Sequence, residues 1–130
     1  MSLNILLVDD HTLFREGLEG LLSRRDINIV AAVGSGQEGL RLAIELEPDV
    51  VLLDMRMPEM DGMDVLRQLR KNGFSNPVAM LTTSSDERDL VESLRSGAQG
   101  YLLKDMEPDQ LVLALRDIVA GKTVVAPDLA

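Results

Sequence analysis

Short apolar runs punctuate the chain at fairly regular intervals. ILLV (5–8), VVLL (50–53), VAML (78–81) and YLL (101–103) are joined by a β-branched stretch, NIVAAV (28–33). None alternates strictly between apolar and polar residues. Runs of this kind predict strands buried on both faces, as in a parallel sheet.

Between the runs the spacing becomes helical. Residues 12–22 put Leu13, Phe14, Gly17, Leu18, Leu21 and Leu22 on one stripe. Ser35 and Glu38 read as a capping box ahead of Leu40, Ala43 and Ile44, and Pro48 follows as a stop. Residues 61–71 carry Val65, Leu66 and Leu69. Ser84 and Glu87 read as a second capping box, opening a helix with Leu90, Val91 and Leu94 inward and Gly97 at its end. Pro108 suits the first turn of a last helix with Leu111, Leu115, Ile118 and Val119 inward.

Strand and helix therefore alternate through five repeats, which predicts an α/β domain with a parallel sheet and right-handed crossovers. Five units are too few for a closed eight-stranded barrel. An open, doubly wound five-stranded sheet remains, and such sheets bind ligands beyond the carboxyl ends of their strands. GKTVVAPDLA (121–130) loses helical spacing and reads as a tail or the start of a linker, so the expected domain is 1–120.

Composition narrows the function classes. A chain of 130 residues with 45% hydrophobic content is one globular domain. No apolar run approaches the ~18 residues of a membrane span, and no signal segment opens the chain. The absence of cysteine removes disulfides and thiolate metal sites, and a cytosolic location is expected. With 22 acids against 13 bases, the net charge of -9 disfavours direct contact with phosphate backbones. The aromatics are Phe14, Phe74 and Tyr101, which is too few for a base-stacking platform.

The chemistry gathers at the strand ends. Asp9 and Asp10 follow the first run, Asp54 the third, Thr82 and Thr83 the fourth, and Lys104 the fifth. On one sheet edge these carboxylates would repel each other, and burial would raise their pKa values. A divalent cation and the Lys104 ammonium are natural compensation. With oxygen donors alone the cation is hard, and Mg²⁺ needs only one or two carboxylates besides phosphate oxygens. An Asp beside such a cation and a Lys has the makings of a nucleophile toward phosphorus.

Over residues 4–120 this combination resembles a response-regulator receiver domain of two-component signalling. The resemblance rests on the acidic pair, on Asp54 followed by Met57-Pro58 and Asp61-Gly62, and on Thr82 and Lys104. ILLVDDH (5–11) and GAQGYLLKDMEP (97–108) look most like the NarL/FixJ (LuxR-type) subfamily. The implied fold is flavodoxin-like (CheY-like), with strand order 2-1-3-4-5. The resemblance further implies that Asp54 accepts a phosphoryl group from a sensor histidine kinase. Asp10 ligates Mg²⁺ directly, Asp9 does so directly or through water, and the backbone carbonyl of Arg56 adds a ligand. Thr82 and Lys104 contact the transferred group, and Thr82 and Tyr101 form the switch. Such a chain is a signalling domain that catalyses its own phosphorylation and dephosphorylation, not a turnover enzyme. Output passes through helix 4, strand 5 and helix 5 to an attached or partner domain. DNA is reached only through a C-terminal helix-turn-helix, and phosphorylation-linked homodimers are expected.

This sequence departs from the pattern in places. Asp105 follows Lys104 where many receivers have Pro, so a cis bond there would be costly. Thr83 is bulkier than the Ala or Gly often found at its position, and Arg56 lies at a variable one. Simpler readings also exist. Asp9 and Asp10 could cap a helix, and Tyr101 could be core with its hydroxyl outside. His11 suits a cap or solvent contact. Met55, Met57, Met60 and Met63 suit packing, and Arg67, Arg70 and Lys71 a solvated helix face. Two rival functions fit parts of the pattern. A haloacid-dehalogenase-type hydrolase would want an acid at position 11 and its nucleophile after strand 1. A pseudo-receiver that never takes phosphate would usually lack an acid or the Lys.

Overall fold

The computed structural model describes residues 3–129; Met1, Ser2 and Ala130, the ends of the expected domain and tail, lie outside the described residues. The elements run β1 (Leu3–Val8), α1 (Thr12–Ser23), β2 (Ile27–Val33), α2 (Gly36–Leu46), β3 (Val50–Asp54) and α3 (Gly62–Lys71). They continue as β4 (Val78–Thr82), α4 (Glu87–Arg95), β5 (Gly100–Leu103), α5 (Pro108–Val119) and β6 (Val124–Val125). A 3₁₀ turn over Pro127–Leu129 follows. All pairings are parallel and the sheet order is β2-β1-β3-β4-β5-β6. The expected order of the first five strands is observed. The sixth strand comes from Val124-Val125, inside the stretch read as a tail, and is too short to register as a periodic pattern.

The central strands β3 and β4 are buried at every position, as the unbroken apolar runs require. One core layer joins Ile5, Leu7, Leu52 and Leu81 to Leu22 of α1 and Leu115 and Ile118 of α5. The opposite layer joins Leu6, Leu53 and Met80 to Leu66 and Leu69 of α3, and includes Tyr101. Met55, Met57 and Met63 pack in this second layer, with Met60 at its margin, so the methionines serve packing.

Several residues placed on inward stripes face solvent instead. Leu13, Gly17, Ile44, Val91 and Val119 are exposed. The reason is angular. Ile44 and Val119 each sit one residue, about 100°, from the buried Ala43 and Ile118, while Leu13 lies about 140° from Leu18. The apolar stripe on α1, α2, α4 and α5 is thus narrower than apolar residue type suggested, whereas Val65, Leu66 and Leu69 of α3 are all buried as expected.

Capping chemistry also decides helix starts. Ser35 caps α2 by accepting the Glu38 N–H at 3.2 Å. Asp61 and Asp64 form a reciprocal capping box on α3. Ser84 does not cap α4: Asp86, nearer the first turn, accepts the Arg88 N–H at 2.9 Å instead. Arg67 pairs with Glu92 of α4, and Arg70 is not on a solvated face. The Arg70 guanidinium bonds the carbonyls of Phe74, Asn76 and Gly97 and the Gln99 side chain, which ties the end of α3 to the turn before β5.

Candidate functional site

Parallel winding brings the carboxyl ends of β1, β3, β4 and β5 to one edge, and the chemistry lies there. Asp9 follows β1 and is fully buried. Its backbone N–H bonds the Val33 carbonyl, its carbonyl accepts from Arg15, and its Oδ1 accepts the His11 N–H at 2.9 Å. Asp10 beside it is exposed. Asp54 ends β3 and is 6% exposed. The turn after it depends on Gly62, whose N–H bonds the Met55 carbonyl at 2.9 Å. A Cβ at Gly62 would fall on the Asp54 carbonyl oxygen, so only glycine lets α3 start this close to the Asp54 backbone.

Lys104 reaches back over the edge from the end of β5. Its Nζ is 2.9 Å from Asp9 Oδ2 and 3.5 Å from Asp54 Oδ1. The same ammonium lies 4.6 Å from the centre of the Phe14 ring, which walls one side of its path. Phe14 was legible only as part of an apolar stripe. The Lys104–Asp105 bond is trans, as the missing proline implies.

The electrostatics explain why Asp54 is unusual. Burial pushes its pKa up from 3.8 to about 6, and the neighbouring Asp9 charge pushes the same way. Lys104 and the backbone N–H of Arg56 oppose that shift without cancelling it. One cation therefore undercompensates the carboxylates it faces. Asp9, Asp10 and Asp54 each offer an oxygen, and these atoms lie within 4.8 Å of one another. Asp9 Oδ2 is buried and accepts no well-directed hydrogen bond despite its ion pair. An oxygen-only donor set with an orphaned lone pair fits a hard divalent ion and does not fit a soft one.

Thr82 ends β4 buried, and its Oγ1 accepts the Ser84 N–H at 3.0 Å. Its carbonyl accepts the Lys104 N–H at 2.9 Å, so the two site residues are stitched together through backbone. Thr83 and His11 are exposed and line the mouth of the site. His11 occupies the cap position of α1 without a side-chain cap bond.

Tyr101 lies fully inside, and its hydroxyl donates to the Ser84 carbonyl at 3.0 Å, so the reading with the hydroxyl outside does not hold. Burial raises the pKa of this phenol. Ser84 also donates its own hydroxyl to Asp89 of α4 at 2.7 Å, and Asp89 pairs with Arg56 at 2.8 Å. Arg56 thus leaves its backbone beside Asp54 while its side chain reaches α4. Ser84 stood out in the sequence only as a capping residue, and Asp89 did not stand out at all. Their partners lie 17 and 33 residues away, and no local spacing signals such contacts.

Comparison with known proteins bears on the whole arrangement. Residues 5–116 match the family model described as the response regulator receiver domain. The chain is 43% identical over 126 residues to the nitrate/nitrite response regulator protein NarL of Escherichia coli K12, covering 96% of this chain and 58% of that protein. It is 41% identical over 128 residues to the transcriptional regulatory protein LnrK of Bacillus subtilis, covering 98% of this chain and 58% of that one. The chain thus spans about three fifths of the length of these relatives. Among solved structures, a LuxR-family two-component response regulator from Aurantimonas sp. SI85-9A1 superposes with a TM-score of 0.93 at 32% identity, covering 99% of this chain and 93% of that one. The signal receiver domain of a response regulator NarL from Mycobacterium tuberculosis gives 0.88 at 34% identity, covering 93% and 98%.

Proposed function

The chain belongs to the response regulator receiver domain family, of the NarL-type LuxR group, and on that premise we propose that it takes a phosphoryl group on Asp54 from a histidine kinase and uses it to switch a transcriptional output domain. One observation carries the reading. A nearly buried carboxylate stands 3.5 Å from an ammonium, beside two further carboxylates, at the one sheet edge where this fold binds ligands.

Each residue has a part in the proposed transfer. Asp54 attacks phosphorus through a carboxylate oxygen, the phosphorus–nitrogen bond of the donor breaks, and the leaving imidazole takes up a proton. Its elevated pKa makes the oxygen more basic while leaving it mostly ionised at neutral pH. Lys104 follows the charge as it moves onto the phosphoryl oxygens, and Thr82 donates its hydroxyl to one of them. Asp9, Asp10, Asp54 and the Arg56 carbonyl are the groups that would hold Mg²⁺, which when bound neutralises charge on the transferring oxygens. Afterwards the Thr82 hydroxyl gives up its bond from Ser84, and the β4–α4 loop and Tyr101 respond. The chemistry serves signalling and no free substrate is turned over.

The proposed setting is the cytoplasm; no helix among the described residues is long and apolar enough to cross a membrane. The proposed partners are a sensor histidine kinase, an output domain that contacts DNA, and a second phosphorylated copy. Labelling from phosphoramidate, which shares the donor's phosphorus–nitrogen bond, tests the transfer. Hydroxylamine-sensitive label at Asp54 is expected; stable label elsewhere would overturn the assignment.

A further inference from the structure

The stretch after α5 does more than trail away. Gly121 has φ +101, a left-handed turn that ends the helix and sends the chain back along the sheet. Val124 then bonds the Gln99 carbonyl at 2.9 Å and Ala126 bonds the Tyr101 carbonyl at 2.9 Å. The register pairs Val124 with Gly100 and Val125 with Tyr101. Ala126 is 1% exposed, Val124 packs on the layer below α5, and Leu129 packs on the layer that contains Tyr101. The segment thus closes the outer edge of β5, an edge whose free N–H and C=O groups would otherwise accept an added strand. Its far end, Asp128 and Leu129, lines a cavity of ≈ 540 Å³ with His11, Thr83 and Lys104, at the mouth of the Asp54 site.

We propose that the β5 edge is a strand-docking surface whose occupant is this chain's own segment Thr123–Leu129, and that docking of this strap and the inward position of Tyr101 stabilise each other. Tyr101 is gripped at two points: its hydroxyl by the Ser84 carbonyl and its backbone carbonyl by Ala126. The strand holding the strap is two residues long, so it opens far more readily than the central sheet. Release of the Ser84 grip frees the tyrosine and loosens the strap; removal of the strap uncovers the tyrosine. Phosphoryl control of the strap rests on the function proposed above, whereas the coupling itself does not.

Tyr101 is the sole tyrosine and the chain has no tryptophan, so intrinsic fluorescence reports on this ring directly. The first arm needs no phosphate. Ala126→Pro removes the N–H that bonds Tyr101, and Val125→Asp places a charge on the docked strand. Each variant is expected to raise acrylamide quenching of Tyr101 several-fold with far-UV circular dichroism unchanged, and the second serves if the first does not fold. Quenching that stays at the wild-type level while the Val124 amide exchanges freely would overturn the coupling. The second arm follows hydrogen exchange at Val124 and Ala126 after acetyl phosphate and Mg²⁺, with intact mass read on the same sample. A change of about tenfold in exchange between phosphorylated and unphosphorylated molecules is expected. Unchanged exchange in molecules that carry the phosphate overturns the strap's control and leaves the proposed function standing. Absence of any mass gain instead counts against that function, and the quenching arm alone then decides the strap.

Discussion

The Arg56 guanidinium lies 2.8 Å from the Asp89 carboxylate, which ties the loop after Asp54 to the first turn of α4. Asp89 also accepts the Ser84 hydroxyl at 2.7 Å, and Ser84 holds Thr82 and Tyr101 through its N–H and carbonyl. A chain of contacts therefore runs from the loop after Asp54 to the edge of β5 without passing through a metal.

Because Arg56 is largely exposed, the pair should contribute little to global stability. A double-mutant cycle between Arg56→Ala and Asp89→Asn should return a coupling of about 0.2–1 kcal/mol in urea unfolding. Asp89→Asn alone should loosen α4 more than Arg56→Ala does, since it also weakens the bond from Ser84. Amide exchange in the first turn of α4 checks this ordering.

The raised pKa of Asp54 makes a signed pH prediction. Its value is about 6 in the folded chain against 3.8 as the reference, so the folded state disfavours the ionised form. The resulting penalty is nearly absent below the reference value, grows as pH rises from 3.8 to about 6, and is full at neutral pH. Asp54→Asn should therefore stabilise metal-free protein at pH 7.5 by roughly 2–3 kcal/mol, a gain that fades toward pH 4. Thermal unfolding across pH in the presence of a chelator measures it. A gain independent of pH would contradict this origin.

Lys104 presents the opposite case. Removing it leaves the buried Asp9 carboxylate without its ion pair. Lys104→Met should destabilise the metal-free domain by about 2–4 kcal/mol at pH 7.5. Added Mg²⁺ should recover part of that loss, because an ion that binds only the folded state stabilises it by mass action. The recovery should disappear in Asp9→Asn, Asp10→Asn double variants. Equal Mg²⁺ response in both backgrounds would rule these acids out as Mg²⁺ ligands.

How much of this was legible in the sequence varies from residue to residue. VVLL ahead of Asp54 and YLL ahead of Lys104 announced buried strands that deliver polar groups to one edge, because burial on both faces leaves an unmistakable apolar run. The joint spacing of Asp9, Asp10, Asp54, Thr82 and Lys104 carried the family. Arg70 was illegible: an arginine on a helix reads as solvated, and its four acceptors are backbone carbonyls and a Gln side chain that belong to tertiary structure. Ser84 was misleading, because its spacing to Glu87 mimics a cap that Asp86 supplies from closer range. Val124-Val125 was too short to declare itself and needed the β5 edge to give it a partner.

The central claim is that Asp54 is the phosphoacceptor, and intact mass spectrometry after incubation with acetyl phosphate and Mg²⁺ tests it most directly. Wild-type protein should gain a single labile phosphate, lost on treatment with hydroxylamine, while Asp54→Ala gains none. A wild-type chain that takes up no phosphate from acetyl phosphate or from a cognate kinase, or an Asp54→Ala chain labelled as fully as wild type, would contradict the account.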